Sequence, residues 1–324
     1  MILHHLTGRG QDLEAALAPL PAPFRAVVHS GYLAVATFFV LSGFVLARTY
    51  TQGNWTARGL WRYGVARFSR VYPVYALSLA VMTPFIAADR TPAKGPLLAA
   101  HGFLLQGWLG RLPVNWNTPA WSLSCEIFFY LSFPLAAAAL TRAGWPRTLA
   151  VAGLACCLTR VLWAAGLPDS VKPLVHFSDF LMGIAASRIF DLLRARPRPP
   201  AGRWLYLPAA ALGATLIAWP GVLPSAIDLN TALRPLNALL LIGLSLGGGA
   251  AARALSTRGA VYLGKASYAM YILHVPLLWW YLRMGRGFSP ALYIAAVIAV
   301  SAAVYRLIEE PANRYLRSRL EVSF

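Results

Sequence analysis

Charge is scarce in this chain, and acid is the scarcest of it: Asp and Glu together number 11 and Lys and Arg 29, only 12% of 324 residues, against 58% hydrophobic. That is about half the charged share of a soluble domain, and it excludes water as the main solvent of the fold. Cysteine is nearly missing as well. Cys125, Cys156 and Cys157 fall inside apolar stretches without paired spacing, so they build neither a disulfide nor a metal framework and read as small core residues. Long polar segments, low-complexity tracts, obvious internal repeats and a cleavable leader are also lacking, which argues against a soluble appendage and for one membrane domain over 1–324. The net charge of +18 would suggest nucleic acid in a soluble protein. Here the arginines cluster in short loops between apolar segments, where they set topology and meet anionic lipid headgroups, so no nucleic-acid partner is expected.

What is present is a series of apolar stretches able to cross about 30 Å of hydrocarbon. They lie near 31–50, 72–88, 120–140, 148–166, 174–193, 204–222, 232–250, 260–282 and 290–308. The segment from Leu97 to Leu109 is too short to span and carries Gly and Gln, so it reads as a half-helix or re-entrant piece. The positive-inside rule agrees. If that segment does not cross, Arg48, Arg58, Arg62, Arg67, Arg70, Arg142, Arg147, the Arg194–Arg203 group, Arg253, Arg258 and the Arg314–Arg319 tail share one side, the cytoplasm. Met1 to Leu6 reads as the last turns of a helix, and since six residues rise only about 9 Å, either the product begins upstream or the first helix is degenerate. Counting it, the expectation is an all-α polytopic transmembrane helix bundle. It has about ten spanning helices and a short re-entrant segment, with both termini cytoplasmic and His4 and His5 near the outer face.

An ionisable group inside a span costs roughly 2.5–3.5 kcal/mol even on lenient scales, so each needs a reason. Glu126, in AWSLSCEIFFYLSFP, shares a helix face with Ser122 and Tyr130 at four-residue spacing. A carboxyl buried there suits proton transfer, or makes a structural hydrogen bond. His274 stands mid-span in SYAMYILHVPLLWW, with Tyr271 and Ser267 on the turns before it, and either touches substrate or braces the bundle. Asp179, one turn after His176, binds acceptor hydroxyls or pairs with Arg160 of the preceding helix, the plainer reading. Arg67 and Arg70, one turn apart beside Tyr72 and Tyr75, present two guanidinium forks suited to phosphate, with Arg62 a possible third; ordinary positive-inside charge is the rival reading.

Five segments in order resemble the membrane acyltransferase-3 family. They are FFVLSGFVLA (38–47), RFSRVYPVY (67–75), PAWSLSCEIFFYLSFP (119–134), LGKASYAMYILHVPL (263–277) and LIEEPANRYL (307–316), the third being the most specific. The resemblance implies an inner-membrane O-acyltransferase of the polysaccharide-modifying type. Cytoplasmic acyl-CoA, most simply acetyl-CoA, serves as donor and no cofactor is tightly bound. The acceptor is a carbohydrate or glycolipid hydroxyl at the outer half of the bilayer. By the family pattern His5, with His4 as alternate, is the first-helix catalytic histidine, and Glu126 orients it or shuttles its proton. Arg67, Arg70 and Arg62 hold the donor's phosphates, and Trp121, Ser122, Tyr271, His274 and Asp179 line the substrate side. The family's preceding arginine would lie upstream of Met1, and Ala34 and Thr37 replace residues usual in the second-helix motif. Two rival readings accompany this one: a proton-coupled transporter or flippase using Glu126, Asp179 and His274, and a catalytically inactive membrane partner.

Overall fold

The computed structural model describes residues 1–7, 17–50, 55–92, 94–110, 116–140, 142–167, 171–224, 228–284 and 289–320, and everything regular within them is helical. The order is α1 (Ile2–Thr7), α2 (Ala22–His29), α3 (Ala34–Thr49), α4 (Ala57–Ala88), α5 (Lys94–Gly102), α6 (Trp121–Leu140), α7 (Trp145–Ala164), α8 (Lys172–Arg194), α9 (Arg203–Ala218), α10 (Leu229–Leu246), α11 (Ala250–Leu255), α12 (Arg258–Arg283), α13 (Pro290–Val304) and α14 (Glu310–Arg319). Helices thus occupy all nine apolar stretches read from the sequence. Among the described residues six are long and apolar enough to cross a membrane by length and composition. Helix α9 is apolar but shorter, while α8 and α12 carry more charged and polar side chains. The protein is a multi-pass helical membrane bundle.

The boundaries depart from the hydropathy reading where charge and helix coincide. The span expected from 72 begins at Ala57, where Thr56 Oγ1 accepts from the Gly59 amide at 3.3 Å. Hydropathy registers only the apolar part of a helix, whereas the backbone ladder continues through RGLWRYGVARFSR at no cost once its charges face water. At 32 residues α4 is about 48 Å long, beyond the hydrocarbon thickness. The last span likewise does not stop at 308. It runs through a π-helical turn (Tyr305–Glu309) into α14, so the arginine-bearing tail is ordered helix lying on α4. The short segment is α5, nine residues followed by turns, about 14 Å of rise and too little to span. Its continuation folds back on α6: Gln106 Nε2 donates to the Ala120 carbonyl at 2.8 Å and the Gly107 amide to Ser124 Oγ at 3.0 Å.

Lipid gives helices little hydrophobic reason to associate, so close approach at small residues carries much of the packing. Helices α3 and α8 touch along most of their length, and a Cβ on Gly43 would overlap the Phe180 carbonyl while one on Gly183 would overlap that of Val40. Gly202 and Gly243 make the equivalent crossing between the start of α9 and α10. Around the first crossing, Phe129 stacks on Phe180 with ring centres 4.7 Å apart, and Phe39 meets Phe129 edge-on at 5.1 Å. This aromatic seam fixes α6 against α3 and α8, and with it the position of Glu126.

Candidate active site

A cavity of about 360 Å³ opens between α3, α4, α6 and α12. One wall is the apolar face of α3, with Val35, Phe38, Phe39, Leu41 and Val45. The opposite wall is polar: Arg70 from α4, Ser122 and Glu126 from α6, and Ser267, Tyr268 and Tyr271 from α12. The size is at the low end of small-molecule pockets, enough for an acyl group with part of a carrier arm and too small for a whole nucleotide-bearing donor. The four-residue stripes read on α6 and α12 therefore meet across one space, as helical periodicity requires of two faces packed around a common void.

Glu126 is held by the stripe it belongs to: the Tyr130 hydroxyl donates to Glu126 Oε2 at 2.6 Å. Ser122 Oγ donates to the Pro119 carbonyl at 2.9 Å and accepts from the Tyr271 hydroxyl at 2.8 Å. Tyr271 leads on to the histidines. Its ring centre is 6.1 Å from that of His274, which is fully buried, and His274 lies 5.0 Å from His5. His274 Nδ1 is 2.6 Å from the Tyr271 carbonyl, which selects the tautomer protonated at Nδ1 and leaves Nε2 the basic atom, buried with no protein partner. His4 is turned aside, its ring 5.6 Å from His5 and 5.7 Å from Tyr32. The structure thus brings His5, His274, Tyr271 and Ser122 into one connected group, with Glu126 beside Ser122 and Tyr271 on the cavity wall and His5 outside that wall, joined to it through α12.

The expected phosphate-binding pair divides. Arg70 lines the cavity; its Nη1 is ion-paired to Glu309 of the π turn, Nη2 donates to the Lys265 carbonyl at 3.4 Å, and the guanidinium lies 5.8 Å from the Tyr268 ring centre. Arg67 turns toward α3 and α6, reaching the Tyr50 hydroxyl at 3.3 Å, with the Tyr50 and Tyr130 rings at 5.5 and 5.9 Å. Arg62 is half-buried on α4 and does not line the cavity. Trp121 sits at the mouth of α6 against His176 at 5.3 Å and Phe39 at 6.2 Å, with Lys172 Nζ 4.7 Å from its ring centre.

Asp179 does not pair with Arg160, which is exposed. Its partner is Arg234 of α10, 98% buried, whose Nε donates to Asp179 Oδ1 at 2.6 Å. Arg234 also donates to the Ala155 carbonyl at 2.7 Å and Thr159 Oγ1 at 2.9 Å, and His176 Nδ1 is 2.9 Å from the other Asp179 oxygen. The sequence offered a signal for Arg234, since an arginine within an apolar helix carries the same penalty that singles out Glu126. Glu309 was also legible in principle, as the continuation of a buried four-residue stripe.

A buried carboxyl, hydroxyl groups and a guanidinium line one cavity in a membrane bundle, and two histidines join it through α12, which makes it the candidate site of an enzyme acting within the bilayer. Residues 1–307 match the model of the acyltransferase-3 family, an acyltransferase domain, so the chain belongs to that family and is an O-acyltransferase. It is 28% identical to the acyltransferase MdmB of Streptomyces mycarofaciens, over 90% of this chain and 84% of that protein. A shorter likeness, 49% identity over 59 residues, relates 17% of the chain to 30% of protein 2 in the picA locus of Rhizobium radiobacter. No solved structure matches the chain.

Proposed function

We propose that the protein transfers an acyl group, acetyl in the simplest case, from cytoplasmic acyl-CoA to a hydroxyl of a carbohydrate or glycolipid presented from the outer half of the inner membrane. Family membership supports acyl transfer to a carbohydrate-type acceptor in general. The observation that carries the finer reading is the cavity bounded by Arg70 on one helix and Glu126, Ser122 and Tyr271 on others, with an apolar wall facing them. A thioester arm lying along α3 would put its charged end toward the arginines and its carbonyl toward the acid and hydroxyl groups.

In this mechanism His5 takes the proton from the acceptor hydroxyl as its oxygen attacks the thioester carbonyl, and the carbon–sulfur bond breaks to release CoA as thiolate. The proton passes from His5 to the departing sulfur, directly or by way of Glu126, so the net change is ester plus free thiol. A transient acyl-histidine on His5 followed by attack of the acceptor balances equally. His274, Tyr271 and Ser122 hold the connection between the histidine and the carboxyl. Of the three groups a transporter relay would use, Asp179 is paired with Arg234 and does not line the cavity, which disfavours that reading.

The test is transfer of radiolabel from acetyl-CoA in membranes carrying the chain, with and without Arg67→Ala plus Arg70→Ala. Donor-dependent labelling that falls in the double variant supports the reading; labelling indifferent to both arginines overturns the donor assignment.

A further inference from the structure

The cavity is open on one flank. On α3 its wall runs through Val35, Phe38, Leu41, Ser42 and Val45, and of these Phe38 and Val45 are 42% and 47% exposed at the surface of the bundle. Across from them, on α12, Gly264 lines the cavity and is itself exposed. The two helices therefore form the lips of a cleft. Phe38 and Tyr271 close one end of it, with ring centres 6.3 Å apart. Gly264 lies two helical turns from Tyr271, so the opening is about 10 Å tall. Helix α3 belongs to a stretch long and apolar enough to cross the membrane, and what lies outside the opening is hydrocarbon rather than water.

The cleft is poor in groups that could hold a sugar or a phosphate. Its α3 lip is apolar except for Ser42. On α12 the Tyr268 hydroxyl donates to the Val71 carbonyl at 2.6 Å, the Tyr271 hydroxyl to Ser122 Oγ at 2.8 Å and Ser267 Oγ to the Gly264 carbonyl at 2.8 Å, so these hydroxyls donate inside the protein. Volume points the same way. The cavity of about 360 Å³ holds about a dozen groups of water size at roughly 30 Å³ each, and part of a carrier arm takes a large share of that. A thioester carbonyl has two arms. With the carrier arm directed to Arg70, an acyl chain of more than a few carbons has the cleft as its apolar way out.

We propose that the cleft between α3 and α12 is an acyl-chain channel: the hydrocarbon of the donor's acyl group lies against Phe38, Leu41 and Val45 and passes sideways into the bilayer. The site then takes medium and long acyl groups as well as acetyl, because a chain that leaves into lipid is not measured by the cavity. Each further methylene against this wall favours binding by about fourfold, whereas a closed pocket rejects the chain once it is full.

This rests on acyl-CoA as donor, and the experiment keeps the two apart. Transfer of acyl label from acetyl-, butyryl-, hexanoyl- and octanoyl-CoA is measured in membranes carrying the full chain, for the wild type, Gly264→Leu and the control Gly259→Leu. A Cβ at either glycine meets no neighbour within 4 Å, so leucine displaces nothing, and only Gly264 of the two lines the cavity. The expected result is octanoyl transfer at least equal to acetyl in the wild type and the control. In Gly264→Leu the octanoyl-to-acetyl ratio should fall about tenfold, the loss of roughly two methylenes of contact. Ser42→Leu, on the other lip, repeats the test should Gly264→Leu fail to fold. Transfer that falls away beyond butyryl in the wild type overturns the proposal, because the cavity then measures the chain. So does an unchanged ratio in the cleft variants. Equal loss for every donor in Gly264→Leu overturns it as well and gives the cleft to the acceptor or to bound lipid. No transfer from any acyl-CoA, acetyl included, removes the donor reading and the channel with it.

Discussion

Two of the charge clusters among the described residues, one around Asp179 and one around Glu126, are built oppositely. Between α7, α8 and α10, Asp179 and Arg234 spend their hydrogen bonds on each other, on His176, on Thr159 and on the Ala155 carbonyl, with Ser178 closing the ring to Thr159 at 2.8 Å. Between α3, α4, α6 and α12, Glu126 and Arg70 are each anchored on one side and face a cavity on the other. A saturated buried pair is structure: its groups have no capacity left for a ligand, and desolvation makes it costly to break. An anchored but unsaturated set is a candidate site, because the remaining donors and acceptors line a space that a ligand can fill. Exposure alone does not separate the two; completeness of hydrogen bonding does.

The largest expected effect breaks the saturated cluster. Arg234→Met leaves Asp179 an uncompensated buried carboxylate and should cost about 3–5 kcal/mol, read as lost folded protein or a lowered melting temperature in detergent. Asp179→Leu with Arg234→Met should recover most of it, since an apolar pair of similar volume carries no unpaired charge. Full stability in the single variant would show that the pair contributes nothing.

The unsaturated cluster should respond in rate rather than in folding. Glu126→Gln is expected to lower acyl transfer about 10²–10⁴-fold, the usual worth of a general acid or base, while the melting temperature stays put. A rate within threefold of wild type would remove Glu126 from the chemistry. Tyr271→Phe deletes one hydroxyl that donates to Ser122 and lies 3.0 Å from the Pro119 carbonyl, and a decrease of roughly tenfold is expected in the same assay. An effect on melting temperature instead of rate would move Tyr271 to the structural cluster.

The smallest effect concerns a carboxylate beyond the end of α4, outside the spans. The Thr91 hydroxyl donates to Asp89 Oδ1 at 2.6 Å, Trp116 Nε1 to Oδ2 at 2.8 Å and the Thr91 amide to Oδ1 at 2.9 Å. These bonds favour the charged form and hold the Asp89 carboxyl below its ordinary value. Because the folded value is the lower one, the stabilisation is present above the unfolded value of about 3.9 and is lost as pH falls through the folded one. Melting temperature measured from about pH 5 downward should therefore fall more steeply in the wild type than in Asp89→Asn. Parallel curves would count against the Trp116 tie between α4 and the start of α6.

The helical character of the nine apolar stretches, the short α5 and the facing stripes of α6 and α12 were legible because they depend on local periodicity and on the cost of polar groups in lipid. The extension of α4 to Ala57 was not, since a charged helix looks like a loop to a hydropathy scale. Nor was the separation of Arg67 from Arg70: one helical turn puts them on one face, but only Tyr50 and Tyr130 on one side and Glu309 on the other decide which way each side chain turns. His274 was read as the end of the polar stripe with Ser267 and Tyr271, and its nearness to His5 came from packing between elements at opposite ends of the chain.

By itself the sequence determined that this protein lives in a bilayer, that it is helical and which family it resembles, and it singled out Glu126, His5 and the Arg67–Arg70 stretch as candidates for the chemistry, because composition, periodicity and motif order are properties of the chain. Only the tertiary structure decided that Asp179 belongs to Arg234, that Arg70 alone of the arginine pair reaches the cavity, and that the last helix returns to the arginines through a π turn. Those facts depend on which faces of distant helices meet. The meeting is set by close crossings at Gly43 with Gly183 and at Gly202 with Gly243 and by an aromatic seam, none of which a one-dimensional pattern encodes.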